Sequence, residues 1–134
     1  MEQEDKELLL KDLCARLPYG VCVHIRYKEG EPCYGKLTPR DIQWFIDSNI
    51  EVIKPYLRPM SSMTEEESKE YRKTQITKWV KSVDCTYGGY YEHRDTLKTF
   101  DWLIAHHFDY RELIKKGLAI KVTEENNPYN ITEE

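Results

Sequence analysis

The sequence predicts an α+β fold, and three observations carry that expectation. Val21, Val23, Ile25 and Tyr27 alternate with Cys22, His24 and Arg26, the period of two that marks a strand with one apolar face. Leu97, Phe100, Ile104 and His107 recur at helical spacing, with Leu103 widening the stripe. Thr64-Glu65-Glu66-Glu67 and Asp109–Glu112 carry the side chains of capping boxes, in which an oxygen and an acid satisfy the first free N–H groups of a helix. The expected order is an N-terminal helix, a four-stranded antiparallel meander, three helices and a short C-terminal strand. Connections in the meander are short enough to allow closure into a small SH3-like barrel.

The elements follow in order. Residues 3–17 form the first helix, with Leu10, Leu13, Cys14 and Leu17 as its apolar stripe and Pro18 ending it. After Tyr19-Gly20 come the first strand, a turn at 28–32 and a second strand at Cys33–Leu37. Ile42, Trp44 and Ile46 alternate with Gln43 as a third strand, and Ile50–Ile53 is a fourth. Pro55 and Pro59 bracket an extended link. The helix that starts at Thr64 buries Ile76, Trp79, Val80 and Val83. Asp95 caps the helix of the 97–107 stripe, and Asp109 caps a short helix that Gly117 ends in the left-handed conformation. Leu118–Val122 is the final strand, expected at the sheet's edge. Residues 1–123 read as one domain, and the polar, acidic stretch 124–134 as a loose tail.

Composition narrows the function classes. With 40% apolar and 33% charged residues, the chain has the balance of an ordinary globular protein. No apolar run approaches the ~18 residues of a membrane span, so no membrane partner is expected. The start, MEQEDKE, resembles neither a secretory signal nor a transit peptide, so a cytoplasmic placement is expected, with reduced thiols at Cys14, Cys22, Cys33 and Cys85. Net charge is −4, with 9 basic and 10 acidic side chains in residues 1–63 and 11 and 14 in residues 64–134. Nucleic acid is thereby disfavoured as a partner unless a local basic face forms; Arg26, Lys28, Lys36 and Arg40 are the residues to map.

Three phrases, DLCARLPYGV (12–21), IKPYLRPMSSMTEEE (53–67) and WLIAHHFDYRELIKKGLAI (102–120), together resemble a family of small uncharacterised proteins encoded in gut Bacteroidales genomes, including prophage-like and other mobile regions. The family has no established activity, so the resemblance is consistent with an accessory role and carries no site residues.

No assembled catalytic set is visible. The cysteines are separated by 7, 10 and 51 residues and lack C-x-x-C pairs, so no metal or cofactor is expected. Gly88-Gly89 lacks the lysine and the spacing of a phosphate loop. His106, His107 and Asp109 are the residues a small enzyme would use, but His107 continues an apolar stripe and Asp109 has a sufficient task as a cap. Tyr87, Tyr90 and Tyr91 crowd one connector, and tyrosines grouped around glycines suit a binding surface for a protein partner. The reading is a non-enzymatic binding or accessory module, with a small enzyme and a nucleic-acid-binding small barrel as the alternatives.

Overall fold

The computed structural model describes residues 2–74, 77–80, 90–93 and 96–129. Helix α1 (Gln3–Arg16) runs into a 3-10 turn at Leu17–Tyr19, and strands β1 (Cys22–Tyr27) and β2 (Cys33–Lys36) form an antiparallel hairpin. Helix α2 (Pro39–Ile46), strand β3 (Ile50–Leu57) and helix α3 (Glu65–Thr74) follow. Strands β4 (Thr77–Val80) and β5 (Tyr90–His93) form a separate two-stranded ribbon, and helix α4 (Thr96–Ala105) and strand β6 (Ile120–Lys121) complete the order. The fold is therefore α+β. No helix among the described residues is long and apolar enough to cross a membrane.

The main sheet has the order β2-β1-β3-β6. It is mixed, because β3 pairs antiparallel to β1 but parallel to β6. This corrects the antiparallel meander. The final strand takes the expected edge position, with Tyr56 opposite Ile120 and Leu57 opposite Lys121. The described pairings leave β2 and β6 as edges.

The expected third strand is helix α2. Thr38 caps it: its hydroxyl accepts from the Asp41 N–H at 3.3 Å, while the Asp41 carboxylate accepts from the Thr38 N–H at 3.0 Å. Pro39 at the first helical position has no N–H to leave unpaired. The alternation of Ile42, Trp44 and Ile46 misleads because the buried pair is Ile42 and Phe45, a helical interval, while Ile46 is exposed. Ser48, at φ 63°, ends the helix, with Asn49 N–H donating back to Trp44 O.

Core residues come from α1 (Leu9, Leu13), α2 (Ile42, Phe45) and one sheet face (Val23, Ile25, Ile53, Leu57), joined by Leu113 and Leu118. The buried side of α1 is Leu9, Asp12, Leu13 and Arg16, not the stripe through Cys14, which is exposed. Pro55 sits inside β3 because Cys22, His24 and Arg26 turn their backbone groups toward β3, so the ladder between β1 and β3 never calls on residue 55 for a donor. Glu51 is bulged, with Tyr27 opposite Ile50 and Arg26 opposite Val52. That extra residue lets Ile50 and Ile53 share the buried face.

In the second half, Trp79 and Val80 lie in β4 rather than on the long helix expected from Thr64, which ends at Thr74; Ile76 and Val83 lie outside the described residues. Leu97 and Phe100 are exposed, and α4 buries Leu103 and Ile104. Asp95 lies outside the described residues. The expected helix after Asp109 is a series of turns. Asp109 accepts from Leu113 N–H at 2.9 Å and Ile114 N–H at 3.0 Å, while Glu112 is exposed at φ 58° and closes no box. Gly117, at φ 75°, ends the turns as expected, with Leu118 N–H donating to Leu113 O at 2.9 Å.

Candidate binding face of the sheet

Strand alternation divides the main sheet into two faces. Val23, Ile25, Ile53 and Leu57 turn inward, so Cys22, His24, Arg26, Tyr34, Lys36, Lys54 and Tyr56 turn outward. Register lines them up: Tyr34, His24 and Lys54 form one row across three strands, and Lys36 stands opposite Cys22 in the next. Arg26, Tyr34 and Lys36 are exposed, Tyr34 at 75%. Arg26 faces Glu51 at 3.6 Å with both side chains more than half exposed, a pairing weak enough to open to a ligand. The Lys36 stem passes beside Gly20, and burial pushes the Cys22 thiol up against the opposing pull of Lys36. Of the other basic residues to map, Lys28 lies at the turn after β1, and Arg40 lies 4.3 Å over the Trp44 ring on α2.

One corner of this face is roofed by the segment after β6. Asn126 holds it: its Oδ1 accepts from Thr123 N–H at 2.6 Å and its Nδ2 donates to Lys121 O at 3.1 Å. Asn127 Oδ1 then accepts from Tyr129 N–H at 2.9 Å. The Tyr129 hydroxyl accepts from Cys22 N–H at 3.0 Å and donates to Tyr56 O at 2.6 Å. Its ring stacks on His107 at 3.8 Å and 7°. Burial pushes the Tyr129 phenol well above its ordinary range. The stretch expected to be loose from 124 onward is thus anchored as far as Tyr129. Between this roof and the sheet lies a cavity of about 290 Å³ lined by Tyr34, Tyr56, Glu125, Asn126, Asn127 and Pro128. Burial pushes the Tyr56 phenol up, with Tyr34 and Cys22 adding to the effect. A second cavity of about 390 Å³ lies between the β1 turn and α2, beside Tyr27 and Trp44.

The residues singled out for an enzyme are each held by structure. His106 stacks on Trp102 at 4.1 Å, with its Nδ1 2.8 Å from Trp102 O. His107, at φ 62°, occupies the left-handed position after α4, its N–H donating to Ile104 O and the next N–H to Leu103 O. Burial lowers its pKa to about 4, with Arg16, His106 and Arg58 adding to the effect. Both Asp109 oxygens are used by the turn that follows. Among the described residues no three His, Cys, Asp or Glu side chains group as a metal site. Tyr87 lies outside the described residues; Tyr90 and Tyr91 lie in β5, opposite Val80 and Trp79, and whether their rings form a surface falls outside the described structure.

Sequence reasoning also missed a buried ionic cluster. Arg16 donates through Nε to Asp12 at 2.7 Å and through Nη2 to Phe108 O at 2.6 Å, with both side chains fully buried. Arg111 approaches the other Asp12 oxygen at 3.4 Å, an ion pair without hydrogen-bond alignment. Burial pushes the Asp12 carboxyl up, against the pull of Arg16 and Arg111. Nearby, Arg58 makes a two-point contact with Glu67 at 2.7 Å each and lies 4.2 Å over Phe108. These groups tie α1, β3 and the α4 exit together, and an i, i+4 Asp–Arg pair on an otherwise apolar helix side was their signal. The outer face had a signal too: the polar residues alternating with β1's apolar ones.

No family model, curated protein or solved structure matches the chain.

Proposed function

We propose that the protein is a non-enzymatic binding module and that it presents the outer face of its main sheet, with the cavity beneath the 125–128 roof, to its ligand. One observation carries the reading: exposed Arg26, Tyr34 and Lys36 share a face with Lys54 and Tyr56, and both tyrosines open onto a cavity. Ligand sites combine a concave apolar surface with a few polar groups, and this corner supplies both. The engagement of His106, His107 and Asp109 in helix ends and turns supports binding over catalysis. An accessory role agrees with the resemblance to proteins of mobile regions.

The test compares wild type with a Tyr34→Ala, Lys36→Glu, Lys54→Glu variant. Each is tagged and captured from its native cells, and the complexes are mapped by amide hydrogen exchange. Protection of residues 22–26, 33–36 and 52–56, lost together with the ligand in the variant, is the expected result. Protection confined to α4 or to residues 81–95 would overturn the reading.

A further inference from the structure

We infer that the ligand of this face is a single-stranded nucleic acid, with one base stacked on Tyr34 over the cavity and the backbone phosphates on Lys36, Lys54 and Arg26. The inference rests on the binding-face reading and gives it a chemistry.

Charge is the first argument. The chain is acidic, at −4, yet two of its acid runs lie on helix starts away from this face: Glu4 and Asp5 begin α1, and Glu65, Glu66 and Glu67 begin α3. On the outer face the order is reversed. Arg26, Lys36 and Lys54 are its cations, with the weakly held Glu51 beside Arg26 and Glu125 on the cavity rim. Among the described residues, neither Lys36 nor Lys54 has a carboxylate within ion-pair distance. A polyanion is the complement of such a face, and the acids on α1 and α3 repel it from other approaches.

Aromatic geometry then chooses among polyanions. Tyr34 holds its ring 75% exposed on an edge strand, in register with His24 and Lys54. An exposed ring flanked by cations on a sheet is the arrangement on which bases stack, because every base has a π-face. The carboxylates of an acidic peptide match the cations but offer the ring no planar group to stack on it. The cavity of about 290 Å³ is at the lower end of small-ligand pockets, a size for one planar group. Glu125 on its rim disfavours a phosphate there and can accept from an exocyclic amino group, so the base enters the cavity and the phosphates remain outside. The edge position of β2 leaves the path of a strand open along Tyr34 and Lys36.

The experiment titrates the full chain into a fluorescein-labelled 12-nucleotide oligo(dA) and reads anisotropy from 50 to 200 mM salt. Three phosphate contacts give a slope of log K against log salt of about −2, or about fifteen-fold weaker binding across that range. Lys36→Glu and Lys54→Glu should each weaken binding and flatten the slope by about 0.7. Tyr34→Ala should lose about tenfold or more with the slope unchanged. Lys69→Glu, on the outside of α3, should change neither. Circular dichroism and melting of each variant confirm that it is folded, so a loss is read as binding. Absence of binding at 50 mM salt, an unaffected Tyr34→Ala, or equal competition by polyglutamate or duplex DNA would each overturn the inference. If capture from cells instead yields a nuclease-resistant partner on residues 22–26 and 33–36, the nucleic acid fails while the binding face stands.

Discussion

Replacing Tyr129 by Phe removes one oxygen and tests how the sheet is closed. Counting on from the pair Val23–Pro55, Cys22 falls opposite Tyr56, and strand parity makes that a position where N–H and C=O should bond directly. The Tyr129 hydroxyl stands between them instead, 3.0 Å from Cys22 N and 2.6 Å from Tyr56 O. Phe leaves two partly buried backbone groups without this bridge. Two lost hydrogen bonds at ~0.5–1.5 kcal/mol each, less one regained if the strands close on each other, give a cost of ~1–2 kcal/mol. The ring and its stack on His107 survive in Phe, so the figure isolates the hydroxyl. Tyr129→Ala also loses the ring and should cost ~2 kcal/mol more, below the full core value because the ring is only partly buried. Urea unfolding with linear extrapolation measures both, and exchange of the Cys22 amide reports the site itself. A Phe variant within ~0.3 kcal/mol of wild type, with unchanged Cys22 exchange, would refute the bridge.

Other outcomes follow from local geometry. His107 is depressed to about 4 by burial from an unfolded value of 6.5, so its contribution is complete above 6.5 and is lost as pH falls toward 4, by at most ~3 kcal/mol. His107→Asn, which tolerates the left-handed backbone, should flatten the pH dependence of urea midpoints in that window; an unchanged curve would count against it. Glu67, lowered to about 2 by its hydrogen bonds from Arg58, adds a second loss as pH falls from 4.5 through 2, and Glu67→Gln should remove it from acid-unfolding curves. Asp109→Asn keeps only one of two acceptor oxygens and should cost ~1 kcal/mol, with Asp109→Ala costing more; equal melting of Asn and wild type would show that one of the two bonds is idle. Thr38→Ala should cost ~1 kcal/mol in chemical unfolding if α2 is capped as described, and nothing if residues 39–46 are a strand.

Local chemistry was legible where it acts within a few residues. The β1–β2 hairpin, Gly117 and the Thr64 cap, in which Glu67 N–H donates to the Thr64 hydroxyl and Thr64 N–H to the Glu67 carboxylate, were readable because backbone and side chain decide them nearby. Helix α2 was misread because Thr38, Pro39 and Asp41, which form its cap, read equally as a turn before the apolar alternation of Ile42, Trp44 and Ile46. Sheet order was not legible, since nothing in a two-residue strand states that it will run parallel to β3. The candidate face was half visible: alternation put His24 and Arg26 opposite the core, but Lys54 and Tyr56 required the register across the Glu51 bulge. Tyr129 was hidden because one aromatic anchor in a polar stretch leaves composition unchanged.

The bridge at Tyr129 also sets a schedule. Strand β3 ends at Leu57, yet the hydroxyl that completes its contact with β1 belongs to a residue roughly seventy positions later, which at ~5–20 residues per second emerges several seconds afterwards. The parallel partner β6, whose neighbour Val122 donates to Leu57 O, is nearly as late. During synthesis β3 can therefore pair with β1 at once, while its other side stays open until β6 and Tyr129 have emerged.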